Sequence, residues 1–240
     1  MIDWLRRTPA DLAIRVGERE LPIAVRRHAS ARRLVMRLAP DGSEVRVTLP
    51  RWGRTEDALV FARARLDWLQ RQLAALPPAR TPQAGGVLAY RGQEIAIDWQ
   101  GSHPRRPRLE GGSVRIGGPL ESLPARLRRW LESEARRLLE DDLAFYCARA
   151  GHAVPALRMS RAQRRWGSCS DRNGIRINWR LVQAPDAVRR SVVAHEVAHL
   201  THFDHSPAFH RLLRELFDGD LEAADAWLKA NGRSLYASFG

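Results

Sequence analysis

A pattern of histidines near the C-terminal end places the narrowest condition on how this chain folds. Residues 195–205 have the sequence HEVAHLTHFDH. On an α-helix, residues four apart lie on one face about one turn apart, so the imidazoles of His195 and His199 can reach one cation. Neutral nitrogen ligands with one coordination position left open suit Zn²⁺. The pattern therefore predicts a helix with a zinc site on one of its faces.

A catalytic zinc site needs a third protein ligand, and three later histidines are candidates. His202 lies on the same helical face, but seven residues of helix rise about 10 Å, which is too far from His195 for one shared ion. Pro207 disfavours helical conformation in the residue before it, so the chain should turn there and bring His205 back over the metal. His210, in the helix expected to follow, is the weaker alternative.

Glu196 stands beside the first ligand, where its carboxylate can take a proton from a metal-bound water, as in metal-assisted hydrolysis. The histidine spacing is also that of the metzincin peptidases. Their turn glycine would fall at residue 202, which is histidine here. Their downstream methionine is missing as well, because the only methionines are Met1, Met36 and Met159. The chain is therefore not predicted to be a metzincin.

The rest of the sequence predicts an α+β fold. Alternating apolar residues and turn signals predict strands between residues 11 and 116, interrupted by one helix over residues 55–76. Helical spacing predicts a long helix over residues 123–150 and a metal-binding helix over residues 187–203, followed by shorter helices. No internal repeat is detectable in the sequence.

These elements suggest two parts. We expect a β-rich N-terminal region with one helix over residues 1–118 and a metal-binding catalytic domain over residues 119–240. In the second part, a Gly167-Ser168 turn is expected to place a hairpin beside the metal-binding helix.

The charge balance predicts affinity for anions. Forty Arg and Lys residues against 27 Asp and Glu residues give a formal net charge of +13. Such a surface attracts nucleotides, single-stranded nucleic acid or acidic proteins, although a solvated basic surface without a partner explains the excess equally well.

Targeting signals are missing from the sequence. No run approaches the ~18 consecutive apolar residues of a membrane helix, and the N-terminus lacks the apolar core of a secretory signal. Cys147 and Cys169 are too few for a disulfide framework. We therefore expect a cytoplasmic protein that does not associate with membranes.

The chain resembles the YgjP-like metallopeptidases, which are related to the SprT-type and WLM-type zinc peptidase domains. The resemblance rests on RWGSCS at residues 165–170, INWRL at 177–181, Pro185, and HEVAHLTHFDHSPAF at 195–209. It implies a zincin-like helical catalytic domain, in which His195, His199 and His205 bind zinc and Glu196 is the general base. The chain departs from the family in two places, with Asp204 where the family usually has Asn and His210 where it usually has Trp.

Arg165 is the further candidate for a catalytic role, as an anion contact or oxyanion stabiliser. The alternative is a surface arginine stacked on Trp166. The leading functional hypothesis is a zinc-dependent hydrolase that acts on peptides or proteins. One alternative is a metal-dependent nucleoside triphosphate pyrophosphohydrolase. The other is a DNA-associated protease or a nucleic-acid-binding protein with a structural metal.

Overall fold

The computed structural model describes residues 12–170 and 174–239, and the chain divides into two units between Pro78 and Ala79. The first eleven residues, on which the expectation of a missing secretory signal rests, lie outside this description. Most strands precede the long helices, which confirms the predicted α+β class. In the described part of the chain, no helix is both long enough and apolar enough to cross a bilayer.

The first unit contains a four-stranded sheet. Its strands are β1 (Ala13–Val16), β2 (Arg19–Arg27), β3 (Val35–Leu38) and β4 (Val45–Leu49), in the order β1-β2-β4-β3. β2 and β4 are parallel, and the two outer pairs are antiparallel. Every second residue of β4 is buried, which is the period of a sheet with one covered face.

Two helices of the first unit replace the single helix expected over residues 55–76. α1 (Thr55–Arg63) and α2 (Leu66–Ala74) are separated at Arg65, whose φ of −128° and ψ of 25° are not helical. The guanidinium of Arg65 lies 3.6 Å from the centre of the Phe61 ring. This cation–π contact stabilises the chain at the break, where the sequence contains no glycine or proline to signal it.

The second unit begins with a sheet of the same topology. Its strands are β5 (Val87–Tyr90), β6 (Gln93–Trp99), β7 (Arg108–Glu110) and β8 (Ser113–Ile116), in the order β5-β6-β8-β7. β6 and β8 are parallel and the outer pairs are antiparallel, as in the first sheet. The two sheets therefore form a structural repeat that the sequence does not reveal. The expected boundary between residues 118 and 119 falls inside this unit.

The long helix α3 (Leu123–Ala150) connects two hydrophobic cores of the second unit. Buried residues recur at every fourth position along one face of the helix: Leu123, Leu127, Leu131, Ala135, Leu139, Leu143 and Cys147. The first four pack against the β5–β8 sheet, and the last three belong to a second core shared with the C-terminal elements of the unit. Gly151 ends the helix with a φ of 71°, which glycine adopts without strain.

A second, smaller sheet follows α3. β9 (Leu157–Ser160), β10 (Gly167–Ser170) and β11 (Gly174–Asn178) have the order β10-β11-β9. The prediction of a turn at Gly167-Ser168 is wrong, because both residues are paired with β11 in an antiparallel ladder. The expected hairpin is nevertheless present, although the connection between β10 and β11 lies outside the described residues.

Three helices complete the second unit: α4 (Asp186–Ala198), α5 (Pro207–Leu216) and α6 (Leu221–Asn231). The sequence suggested that this helix continues to residue 203, but α4 ends at residue 198. The amide of Leu200 donates to the carbonyl of Val197, and the amide of Thr201 donates to that of Ala198. These tight hydrogen bonds end the α-helix and start the turn that leads to α5.

A buried ion pair fixes α4 against α3. The side chain of Arg189 is 3% exposed and donates to Asp142 at 2.7 Å. Arg189 also binds Asp186 in the first turn of α4, and Asp186 pairs with Arg91 from the β5–β6 turn. Removing one partner from such a buried pair costs about 3–5 kcal/mol. The network therefore holds in place the helix that carries the first two candidate ligands.

Candidate metal centre

The structure brings His195, His199 and His205 together around one point. The Nε2 atoms of His195 and His199 are 3.2 Å apart, and those of His195 and His205 are 3.3 Å apart. One nitrogen from each ring lies within 4.8 Å of the others. His195 is in the last turn of α4, His199 follows that helix directly, and His205 lies in the connection to α5.

Local chain chemistry brings His205 back toward α4. The hydroxyl of Ser206 accepts a hydrogen bond from the amide of Phe209 and caps the first turn of α5. Pro207 occupies the first helical position, where its missing N–H costs nothing. The expected turn before Pro207 therefore forms, and it places the third imidazole opposite the first two.

A backbone carbonyl orients the second imidazole. Nδ1 of His199 lies 2.9 Å from the carbonyl oxygen of His202. Because a carbonyl oxygen only accepts, Nδ1 must carry the proton and Nε2 keeps its lone pair. His202 thus contributes through its main chain, while Ser206 caps a helix and Asp204 is exposed.

The donor set fits a tetrahedral zinc ion. Zinc–nitrogen bonds of about 2.0–2.1 Å place two tetrahedral ligand nitrogens about 3.3–3.4 Å apart, close to the separations around His195. Burial first, and then the neighbouring imidazoles, lower the pKa of His195 to about 4. That ring is therefore neutral at physiological pH, as a metal ligand must be.

Phe209 packs against all three imidazoles and was not identified from the sequence. Its ring centre lies 5.0 Å from that of His195, 4.5 Å from that of His199 and 4.9 Å from that of His205. The side chain is fully buried. Its position four residues after His205, on the apolar face of α5, is the only signal the sequence offered. His210 lies farther out, with its ring centre 6.4 Å from that of His205.

Glu196 is buried beside the three histidines and packs against a glycine. Its residue exposure is 5%, and its Oε2 atom has no hydrogen-bond partner within the described chain. A Cβ atom on Gly167 would lie 2.6 Å from Cγ of Glu196. Glycine at the start of β10 is therefore what leaves room for the carboxylate. Burial raises the pKa of Glu196 to about 7, and the nearby charge of Arg165 opposes this shift.

Asn178 fixes the segment that carries Arg165 and Trp166. Its Nδ2 atom donates to the carbonyl of Ala162 at 2.7 Å, and its amide donates to the carbonyl of Trp166 at 2.7 Å. The hydroxyl of Tyr236 donates to the same Ala162 carbonyl at 3.3 Å. Both ends of the segment are thus held, while the Arg165 side chain is exposed. Asn178 lies in the INWRL motif, whose residues alone do not indicate this role.

A cleft of about 540 Å³ opens in front of Glu196 and His195. Its walls are mixed. Trp166 from the segment before β10 and leucines from α5 and α6 are apolar, whereas Ser191, His210 and Arg214 are polar. Glu222 and Asp225 of α6 also line it. The cleft leads directly to the buried carboxylate.

A family model agrees with this arrangement. The model described as YgjP-like, metallopeptidase domain, matches residues 32–231 of the chain. No curated protein matches the chain, and no solved structure does either.

Proposed function

The chain belongs to the YgjP-like family and carries its metallopeptidase domain, and we propose that it is a zinc-dependent peptidase whose general base is Glu196. The observation that carries the proposal is the convergence of three Nε2 atoms beside a buried carboxylate with an unpartnered oxygen. A buried carboxylate oxygen without a partner is costly in a purely structural role. At the end of a cleft, it is available to a reacting water.

His195, His199 and His205 would hold the ion through their Nε2 atoms. Zinc bound there would supply Lewis acidity that polarises the scissile carbonyl and makes a water more acidic. The His202 carbonyl keeps the His199 ring in the binding tautomer. Phe209 limits how far the three rings can move, because it contacts each of them.

Glu196 would accept a proton from the attacking water and deliver it to the leaving amine. A general base works best when its pKa lies near the working pH. Burial, which raises the pKa of Glu196 to about 7, supports this role. Gly167 keeps the carboxylate in place, since no other residue would leave it room.

Arg165 would stabilise negative charge on the carbonyl oxygen as it develops. Its guanidinium is close enough to lower the pKa of Glu196, and Asn178 fixes the segment that carries it. A cation close to the reacting carbonyl stabilises the negative charge that develops there. Trp166 and the leucines that line part of the cleft would contact apolar side chains of the substrate.

The decisive experiment separates metal binding from turnover. The Glu196→Gln variant should retain one zinc per chain by elemental analysis and lose casein and labelled-peptide cleavage by at least a hundredfold. His199→Ala should lose the metal and the activity together. Glu140→Gln removes an exposed carboxylate of α3 that does not line the cleft, and should keep both. Full activity in Glu196→Gln would refute the assignment of the base.

Nucleoside triphosphates belong in the same assay because they are the rival substrates. The metal-loaded protein should release no pyrophosphate from them above the level of the chelated protein. Pyrophosphate release without peptide cleavage would replace the peptidase proposal with the phosphoanhydride alternative.

A further inference from the structure

A second cleft of about 700 Å³ lies on the N-terminal half of α3 and shares no lining residue with the cleft at the metal centre. It is formed by the segment before β7, by β7 itself and by one flank of α3. Five arginines line it: Arg105, Arg106, Arg108, Arg126 and Arg129. We call it the arginine cleft.

The positive charge of the arginine cleft is not neutralised from within. Across residues 12–170 and 174–239, none of the five arginines forms an ion pair with a carboxylate. The two glutamates of the cleft are engaged elsewhere. Glu110 pairs with Arg115 at 2.6 Å. Glu134 accepts from the Tyr90 hydroxyl at 2.9 Å and pairs with Arg137 at 3.1 Å. The guanidinium groups of Arg105, Arg106 and Arg129 are therefore available to an anion from outside.

Arg126 builds the wall of the cleft and does not need to bind a ligand itself. Its guanidinium donates to the carbonyls of Arg105, Gly117 and Pro119. Burial lowers the pKa of Arg126, and the charges of Arg105 and Arg129 lower it further. A Cβ atom on Gly117 would collide with the backbone of the segment before β7. The segment and α3 are thus locked together, which fixes the backbone positions from which the other arginines project.

The edge of the sheet favours a polypeptide over a nucleic acid as the ligand. β7 is an edge strand that pairs only with β8, so its other side offers backbone N–H and C=O groups to an added strand. Leu109 pairs with buried Val114 and is 46% exposed, on the face of the sheet that packs against α3. A strand added to β7 would lie about 4.8 Å from it. Every second side chain of that strand would face the arginine-bearing flank of α3.

We propose that the arginine cleft binds an acidic, extended segment of a polypeptide, which pairs with β7 through its backbone and with the arginines through alternate carboxylates. Carboxylates and guanidinium groups form paired, charge-assisted hydrogen bonds, which gives the recognition both strength and direction. The binding step is independent of the peptidase activity. The consequence that such segments dock substrates for cleavage rests on the proposed function.

The test uses direct binding in the Glu196→Gln background, so that the probe is not consumed. Fluorescence anisotropy would follow a fluorescein-labelled peptide of six Glu-Val repeats at low salt. Its matched Gln-Val peptide and a labelled twelve-residue oligothymidylate are the controls. We expect the Glu-Val peptide to bind at least tenfold more tightly than either control.

Charge reversals locate the binding. Arg129→Glu and Arg106→Glu reverse exposed arginines on opposite walls of the cleft and should each weaken peptide binding about tenfold. Arg128→Glu changes the net charge equally from the neighbouring position on α3, outside the cleft, and should weaken it less than twofold. Thermal unfolding at the wild-type temperature would show that each variant is folded.

Three outcomes would overturn the proposal. They are no binding of the Glu-Val peptide, an equal loss in the Arg128 and Arg129 variants, or tighter, Arg129-dependent binding of the oligonucleotide. None of them bears on peptide cleavage by the metal centre. Binding without any peptidase activity would instead support the cleft and refute the proposed function.

Discussion

Replacing Gly167 with alanine tests whether catalysis depends on where the Glu196 carboxylate lies, apart from its presence. The added Cβ would lie 2.6 Å from Cγ and 2.7 Å from Cδ of Glu196, and closer still to Oε1. Ordinary van der Waals contact begins at 3.4 Å, so Cγ must move by about 0.8 Å, the difference between 3.4 and 2.6 Å. Because Glu196 is buried, its packed neighbours resist this movement.

A displacement of about 1 Å in a catalytic group lowers the rate about a hundredfold. We therefore expect kcat of Gly167→Ala on a labelled peptide to fall about a hundredfold, with zinc content by elemental analysis unchanged. Gly101→Ala is the matched control, because its Cβ would meet no atom within 4 Å. A Gly167→Ala enzyme with wild-type kcat would refute the proposed positioning of the base, and loss of its zinc would show that the glycine instead supports the ligands.

Three further predictions concern the metal centre. His205→Ala should lower zinc affinity at least tenfold in a chelator competition, whereas His210→Ala should leave it unchanged; equal losses would contradict the ligand assignment. Phe209→Ala should lower the free energy of unfolding by about 3–5 kcal/mol and release zinc more readily, as chemical denaturation and the same competition would measure. In metal-free protein, burial raises the pKa of Glu196 from 4.5 to about 7, so the folded state holds that proton more tightly and loses stability as the pH rises through 7. Glu196→Gln should therefore be more stable than the wild type by about 3 kcal/mol at pH 9 and equally stable below pH 4.5; equal stabilities at pH 9 would contradict the burial of the charge.

The convergence of His195, His199 and His205 could be predicted because its signals are local. The spacing of His195 and His199 needs only the helical repeat, and the return of His205 needs only the restriction that Pro207 places on its neighbour. α4 is nevertheless shorter than expected. No residue near Ala198 is one that typically ends a helix. The helix ends there through backbone hydrogen bonds of the turn, which form only when the chain bends.

Other features depend on contacts distant in sequence and could not be predicted. Gly167 suggested a turn because glycine often occupies one, but its real partner is Glu196, which lies 29 residues away. The break between α1 and α2 depends on a cation–π contact at Arg65. The only sign of the two similar sheets in the sequence is the alternation of apolar residues along their strands. Many unrelated strands have that pattern, so it does not reveal the shared topology.

The two motifs that accompany the histidines, RWGSCS and INWRL, together determine where the Glu196 carboxylate lies. The geometry of α4 alone brings two candidate ligands four residues apart in sequence onto one face. A glutamate side chain on a helix can still adopt several rotamers. Asn178 holds the ends of the segment from Ala162 to Trp166 through its side chain and its amide. Gly167 follows directly and closes one side of Glu196. The position of the Glu196 carboxylate is therefore set by β10 and β11 as much as by the helix that carries it. A His-Glu-x-x-His sequence alone would not supply this arrangement, which explains why the two motifs occur in the same chain as the histidines.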